Sequence, residues 1–153
     1  MVIGLSLRNI IRMFEKVGAS CRKLRGRNVY ECWRGDVVAR ITPELITVRS
    51  IGELRLEYSD FTPRGYFSED EFFRDLKEVT GARSAYLDFP GSYRADIVLE
   101  FGLDDADRAV EAFRKMAEHG MWGAATNIHG ELMLYKDEEV VDAKEWLKAF
   151  EEE

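Results

Sequence analysis

The sequence predicts an α+β fold, with a largely antiparallel sheet or pair of sheets of about 8–9 strands and four helices packed on one face. Three observations carry that expectation. Short runs with period-2 alternation are separated by turn residues at hairpin spacing. Four stretches place apolar residues at helical spacing. Apolar residues make up 46% of the 153, enough for a core without staples. A chain of this length is expected to form a single domain, residues 1–153, with 1–60 and 61–153 as two halves of one unit.

Taken in order, Ser6 reads as an N-cap for a helix over 7–17, with Leu7, Ile10, Ile11, Phe14 and Val17 on one face and Gly18 beyond its end. Strands at 20–25 and 28–34 flank Gly26-Arg27, a Gly-first pair suited to a two-residue turn. Strands at 37–41 and 45–49 flank Thr42-Pro43-Glu44, and Leu54, Leu56 and Tyr58 then alternate with Arg55 and Glu57. Pro63-Arg64-Gly65 breaks the chain. Ser68 and Glu71 form a capping box, and the helix it opens buries Phe72, Phe73, Leu76 and Val79 before stopping near Gly81. Residues 86–89 and 94–101 form a hairpin around Pro90-Gly91-Ser92. Asp104 or Asp105 caps a third helix with Ala106, Val110, Phe113 and Ala117 inward. Residues 124–128 and 131–136 pair across His129-Gly130, and Asp137 opens a final helix through Val140, Ala143, Trp146, Leu147 and Phe150.

Arg12-Met-Phe-Glu-Lys-Val17 has an echo in Arg74-Asp-Leu-Lys-Glu-Val79, each a helix end running into a glycine and then a hairpin. Two such halves resemble the pseudo-duplicated folds of the TATA-binding-protein-like or helix-grip kind. The helix-grip resemblance implies a sheet that holds a small molecule or lipid beneath its helices.

The composition is unusual. There is no Gln, only three Asn, and Arg outnumbers Lys by 15 to 7. Few thermolabile amides and many ion-pairing side chains are expected at high temperature. In this the chain resembles the small α+β proteins of hyperthermophilic archaea such as the Thermococcales, a resemblance of composition that implies no activity. The opening residues are too short an apolar run for a signal peptide, and no run approaches a membrane span, so a soluble cytoplasmic protein is expected. The net charge of −7 argues against nucleic-acid binding by the whole surface. It hides an asymmetry: residues 1–60 hold 11 basic and 7 acidic side chains, residues 61–153 hold 11 and 22.

Arg22, Lys23, Arg25 and Arg27 fall within six residues, and Trp33 on the return strand offers a stacking face, a pattern suited to phosphates and unpaired bases. Alternation puts Arg22 and Lys23 on opposite faces, however, and edge strands carry such charges to block stray pairing. Cys21 and Cys32 stand opposite each other if the turn centres on Gly26-Arg27. A bridge and two buried thiols are both open readings, and a bridge closing so short a loop stabilises by no more than about 3 kcal/mol. Phe61, Tyr66, Met121 and Trp122 fall in connections, where large apolar side chains suggest an interface. His119, His129 and Glu131 lack zinc-like spacing, no base stands beside a nucleophile, and the acids at 69–71 and 104–107 suit first helical turns. No catalytic residue, metal or cofactor is therefore assigned. The expected function is a non-catalytic binding or assembly module that self-associates, with a homodimer as the simplest form. Nucleic-acid binding through the basic hairpin is the alternative, ligand gripping the next, and no membrane partner is expected.

Overall fold

The computed structural model describes residues 6–56, 69–91, 93–119, 123–126, 132–136, 139–141 and 143–151. It is an α+β structure with four helices and an open antiparallel sheet of six strands. Helix α1 (Leu7–Lys16) begins at Ser6, whose hydroxyl accepts the Asn9 N–H at 3.3 Å, and buries Ile10, Ile11 and Phe14 at helical spacing. A meander follows: β1 (Ser20–Lys23), β2 (Tyr30–Arg34), β3 (Val37–Ile41) and β4 (Ile46–Ser50). Strand β5 (Glu53–Leu56) and helix α2 (Glu69–Thr80) come next, then β6 (Ser84–Asp88) and β7 (Asp96–Phe101). Helix α3 (Ala106–His119), β8 (Gly123–Thr126), β9 (Leu132–Lys136), β10 (Glu139–Val141) and α4 (Ala143–Glu151) complete the order.

The six-stranded sheet runs β1-β2-β3-β4-β7-β6, every pair antiparallel. The hairpin β6–β7 is thus added beside β4, so that β1 and β6 form the two edges. Alternation decides which side faces the core. Val37, Ala39 and Ile41 of β3, Ile46 and Val48 of β4, and Ile97, Leu99 and Phe101 of β7 all point one way and are buried. Onto that side pack α1 against β1 and β2, α3 against β3, β4 and β7, and α2 against β6, with α4 laid over α2 and α3. Aromatic edges join the layers: Phe14 meets Phe113 at 5.1 Å, and Trp146 lies 5.9 Å from Phe72 and 5.0 Å from Phe150. Lys115, buried on α3, donates to the Phe150 carbonyl at the end of α4, neutralising that helix terminus.

The structure differs from the expected elements in five places. The described residues form ten strands rather than about 8–9, because β10 occupies the start of the stretch assigned to the last helix. That helix begins at Ala143, and Val140 pairs with Tyr135 as a strand residue, so Asp137 does not open it. The second sheet, β10-β9-β8-β5, includes a parallel pair, β5 with β8. The β1–β2 connection is a four-residue loop closed by Leu24 N–H to Val29 carbonyl at 2.8 Å, with a tighter turn inside it from Arg27 N–H to Leu24 carbonyl. Asp104 and Asp105 sit in a 3-10 turn ahead of α3, with no side-chain cap at Gly102. Ser68, Pro63 and the His129-Gly130 turn lie outside the described residues. Among the described residues no helix is long and apolar enough to cross a membrane.

Candidate functional site

Among the described residues no helix packs against the other side of the six-stranded sheet, where Val98 and Asp96 are nevertheless buried. Register sets its outward side chains in rows across the strands. Arg22, Glu31, Arg40, Thr47, Glu100 and Ser84 form one row; Ser20, Trp33, Val38, Arg49, Val98 and Tyr86 form the next. Beyond them Asp88 of β6 and Asp96 of β7 stand directly opposite each other.

Two carboxylates side by side repel unless a cation joins them. Arg49 does so, reaching Asp88 at 2.7 Å and Asp96 at 2.8 Å. Arg94 adds a second fork on Asp96 at 2.8–3.2 Å, and the Gly52 N–H donates to it at 3.2 Å. Asp96 has no exposed surface. Burial works to raise its carboxyl pKa, but Arg94, Arg49 and the Gly52 N–H outweigh it and hold the group below the usual carboxylate range. The same segment ties the β6–β7 turn to β5, through Leu54 N–H to Tyr93 carbonyl and Ala95 N–H to Gly52 carbonyl.

Along the first row, Glu100 accepts the Ser84 hydroxyl at 2.8 Å and the Tyr86 hydroxyl at 3.1 Å. Burial, reinforced by the Glu100 carboxylate, raises the Tyr86 pKa, so the phenol stays a neutral donor. At the other edge Arg22 pairs with Glu31 at 3.1 Å and lies 5.8 Å from the centre of the Trp33 ring. Two charges on this face, Arg40 and Glu100, make no ion pair among the described residues, although Glu31, itself paired with Arg22, stands directly opposite Arg40 in register. Glu100 is met only by hydroxyls. Between the edges lies a shallow concavity of about 400 Å³ lined by Val38, Arg40, Thr47, Arg49, Tyr86 and Arg94.

The sequence candidates are distributed as follows. Arg22 and Trp33 lie on this open face, whereas Lys23 points to the other side of β1 and Arg25 and Arg27 are exposed in the loop. Cys21 and Cys32 are opposite each other in register and joined by a disulfide. Phe61, Tyr66, Met121, Trp122, His129 and Glu131 lie outside the described residues, and His119 is exposed at the end of α3. Among the described residues no group of three or more His, Cys, Asp or Glu is placed to hold a metal ion. Arg40, Arg49, Tyr86, Arg94, Asp96 and Glu100 were not singled out from the sequence. Their only sequence signal is a polar side chain at every second position of apolar strands, and the β4–β7 pairing that assembles them is non-local.

Chemically the face holds fixed hydrogen-bonding groups rather than a reactive pair. Asp88 and Asp96 are engaged by arginines, and the Tyr86 hydroxyl keeps its proton. No family model, curated protein or solved structure matches the chain.

Proposed function

We propose that the protein is a non-catalytic assembly module that docks a protein partner on the helix-free face of its six-stranded sheet. One observation carries this reading. The large apolar side chains exposed among the described residues are Trp33 (38%), Tyr86 (39%), Phe89 (51%) and Tyr93 (80%). The first two stand on that face and the other two in the β6–β7 turn at its end, with Arg40, Arg49 and Arg94 among them. Trp, Tyr and Arg are the side chains that dominate binding energy at protein interfaces, where a charged helix face does not serve as well. A photoreactive side chain at position 86, and another at position 74 on the outside of α2 as control, tests it in the cells that make the protein. Protein adducts from position 86 and none from 74 are expected. Adducts from both alike, or from neither, sink the reading.

The module is built of two halves, residues 1–60 and 61–153, each a helix followed by antiparallel strands, the pseudo-duplicated reading. Its support is that Gly18 (φ +93°) ends α1 and Gly81 (φ +74°) ends α2, each leading into a hairpin that supplies one edge of the sheet. The Gln-free, Arg-rich composition supports a high working temperature.

A second reading has its own observation. Lys23, Arg25 and Arg27 have no ion pair among the described residues, and Arg22 lies over Trp33, an arrangement that suits a single nucleic-acid strand along the β1–β2 hairpin. Fluorescence anisotropy with labelled oligonucleotides at low and high salt decides it. Salt-sensitive binding lost on reversing Arg22, Lys23, Arg25 and Arg27 to Glu favours this reading over docking.

A further inference from the structure

We infer that the partner on the helix-free face is a second copy of the chain, related by a two-fold axis running along β4. The inference rests on the docking reading above and adds the partner and its orientation. Two charges of the face make no ion pair among the described residues of the chain. Arg40 on β3 and Glu100 on β7 share one register row and flank Thr47 of β4, one strand to either side. Two strand spacings, about 10 Å, separate their backbones, and no ion pair joins them within the chain.

Turning a second copy face down about β4 exchanges β3 with β7 and β2 with β6. Arg40 of each copy then meets Glu100 of the other, twice. The same rotation brings Trp33, two strands from β4 on one side, over Tyr86, two strands away on the other. Both exposed aromatic side chains of the face therefore gain an aromatic partner. A partner of uniform charge satisfies either Arg40 or Glu100 and opposes the other, whereas a second copy satisfies both. Arg49, Arg94 and Glu31 do not resist the arrangement. Arg49 lies on the axis and faces its own copy, but Asp88 and Asp96 already neutralise it. Arg94 is bound to Asp96, and Glu31 is paired with Arg22 and falls opposite Ser84.

Six strands of about five residues give a face of about 24 Å by about 17 Å, or about 800 Å² over both copies, below the usual size of a stable interface and in the range of weak contacts. The dimer is accordingly weak, and its ion pairs make it sensitive to salt. Sedimentation velocity on the whole protein from about 1 μM to about 1 mM tests it, with Arg40→Glu and Glu100→Arg as variants. The wild type is expected to dimerise with rising concentration, and each variant alone to do so about tenfold more weakly or not at all. An equimolar mixture of the two variants restores the opposite pairs at both contacts, so the heterodimer returns. That recovery also shows that both variants are folded. A wild type monomeric throughout overturns the inference, as does a dimer indifferent to both reversals. An adduct of foreign mass from position 86, beside a monomeric wild type, overturns the second-copy inference while the docking reading stands.

Discussion

The two edges of the six-stranded sheet are held in different ways. At one edge β1 has little to bury: of its four side chains only Cys21 is partly covered, and the rest are exposed. Its attachment is the backbone ladder, the Cys21–Cys32 bond and an exposed Arg22–Glu31 pair. At the other edge β6 fully buries only Leu87, but its inner neighbour β7 is buried at five of its six residues, and the hairpin the two form is anchored by a carboxylate out of contact with water. The disulfide fixes its strand whatever the protonation state. The Asp96 cluster contributes only while the carboxylate is ionised and all its donors are in place. Where packing is thin the chain uses a covalent bond; where packing is deep it uses charge.

Removing the charge should give the largest effect. Asp96→Asn leaves Arg49 and Arg94 facing a neutral amide at a buried site and is expected to cost about 3 kcal/mol in denaturant unfolding. The folded-state pKa of Asp96 is depressed, so its contribution is complete above the unfolded-chain value of about 3.9 and is lost as pH falls through the lower folded value. Wild-type stability should therefore fall below about pH 4 more steeply than that of Asp96→Asn, and parallel curves would show that this carboxylate is not responsible.

Breaking the other edge comes next. The double variant Cys21→Ser, Cys32→Ser is expected to lose about 2–3 kcal/mol, as is the wild type on reduction by a dithiol. Amide hydrogen exchange should accelerate across 20–23 while 84–88 stays protected. Equal acceleration at both edges would mean that they are not independent. The smallest effect belongs to Arg22→Ala, which removes an exposed ion pair and a ring contact and should cost at most about 1 kcal/mol. Its readout is a change in Trp33 emission at an almost unchanged unfolding midpoint, and an unaltered spectrum would show that Arg22 does not rest on the ring.

What the sequence made legible was local. Ser6 and the spacing of Ile10, Ile11 and Phe14 placed α1, because cap and stripe lie within one element. The opposition of Cys21 and Cys32 was legible too, because hairpin register follows from where the turn is centred, and the longer loop keeps that centre. Strand β10 was not, because Val140 falls three residues before Ala143 and reads as another turn of the helical stripe. The candidate site was hidden for a stronger reason. Arg49 and Asp96 lie 47 residues apart, and nothing in either strand says that β7 will pair with β4 rather than extend a separate sheet. The basic cluster drew attention because its members are adjacent in sequence. The residues that converge in space are scattered over β3, β4, β6, β7 and the turn before β7.

The insertion of β7 beside β4 also bears on how the chain is made. Strands β1 to β4 form a meander of near neighbours that can pair as they emerge. The free edge of β4 waits for Ile97–Phe101, roughly fifty residues later. At ribosomal rates of about 5–20 residues per second, that strand edge stands open for about 3–10 s in every round of synthesis. Ile46 and Val48, buried in the finished protein, are exposed beside it during that interval. The nascent chain is thus most vulnerable to misassembly at the centre of the finished sheet and not at its edges.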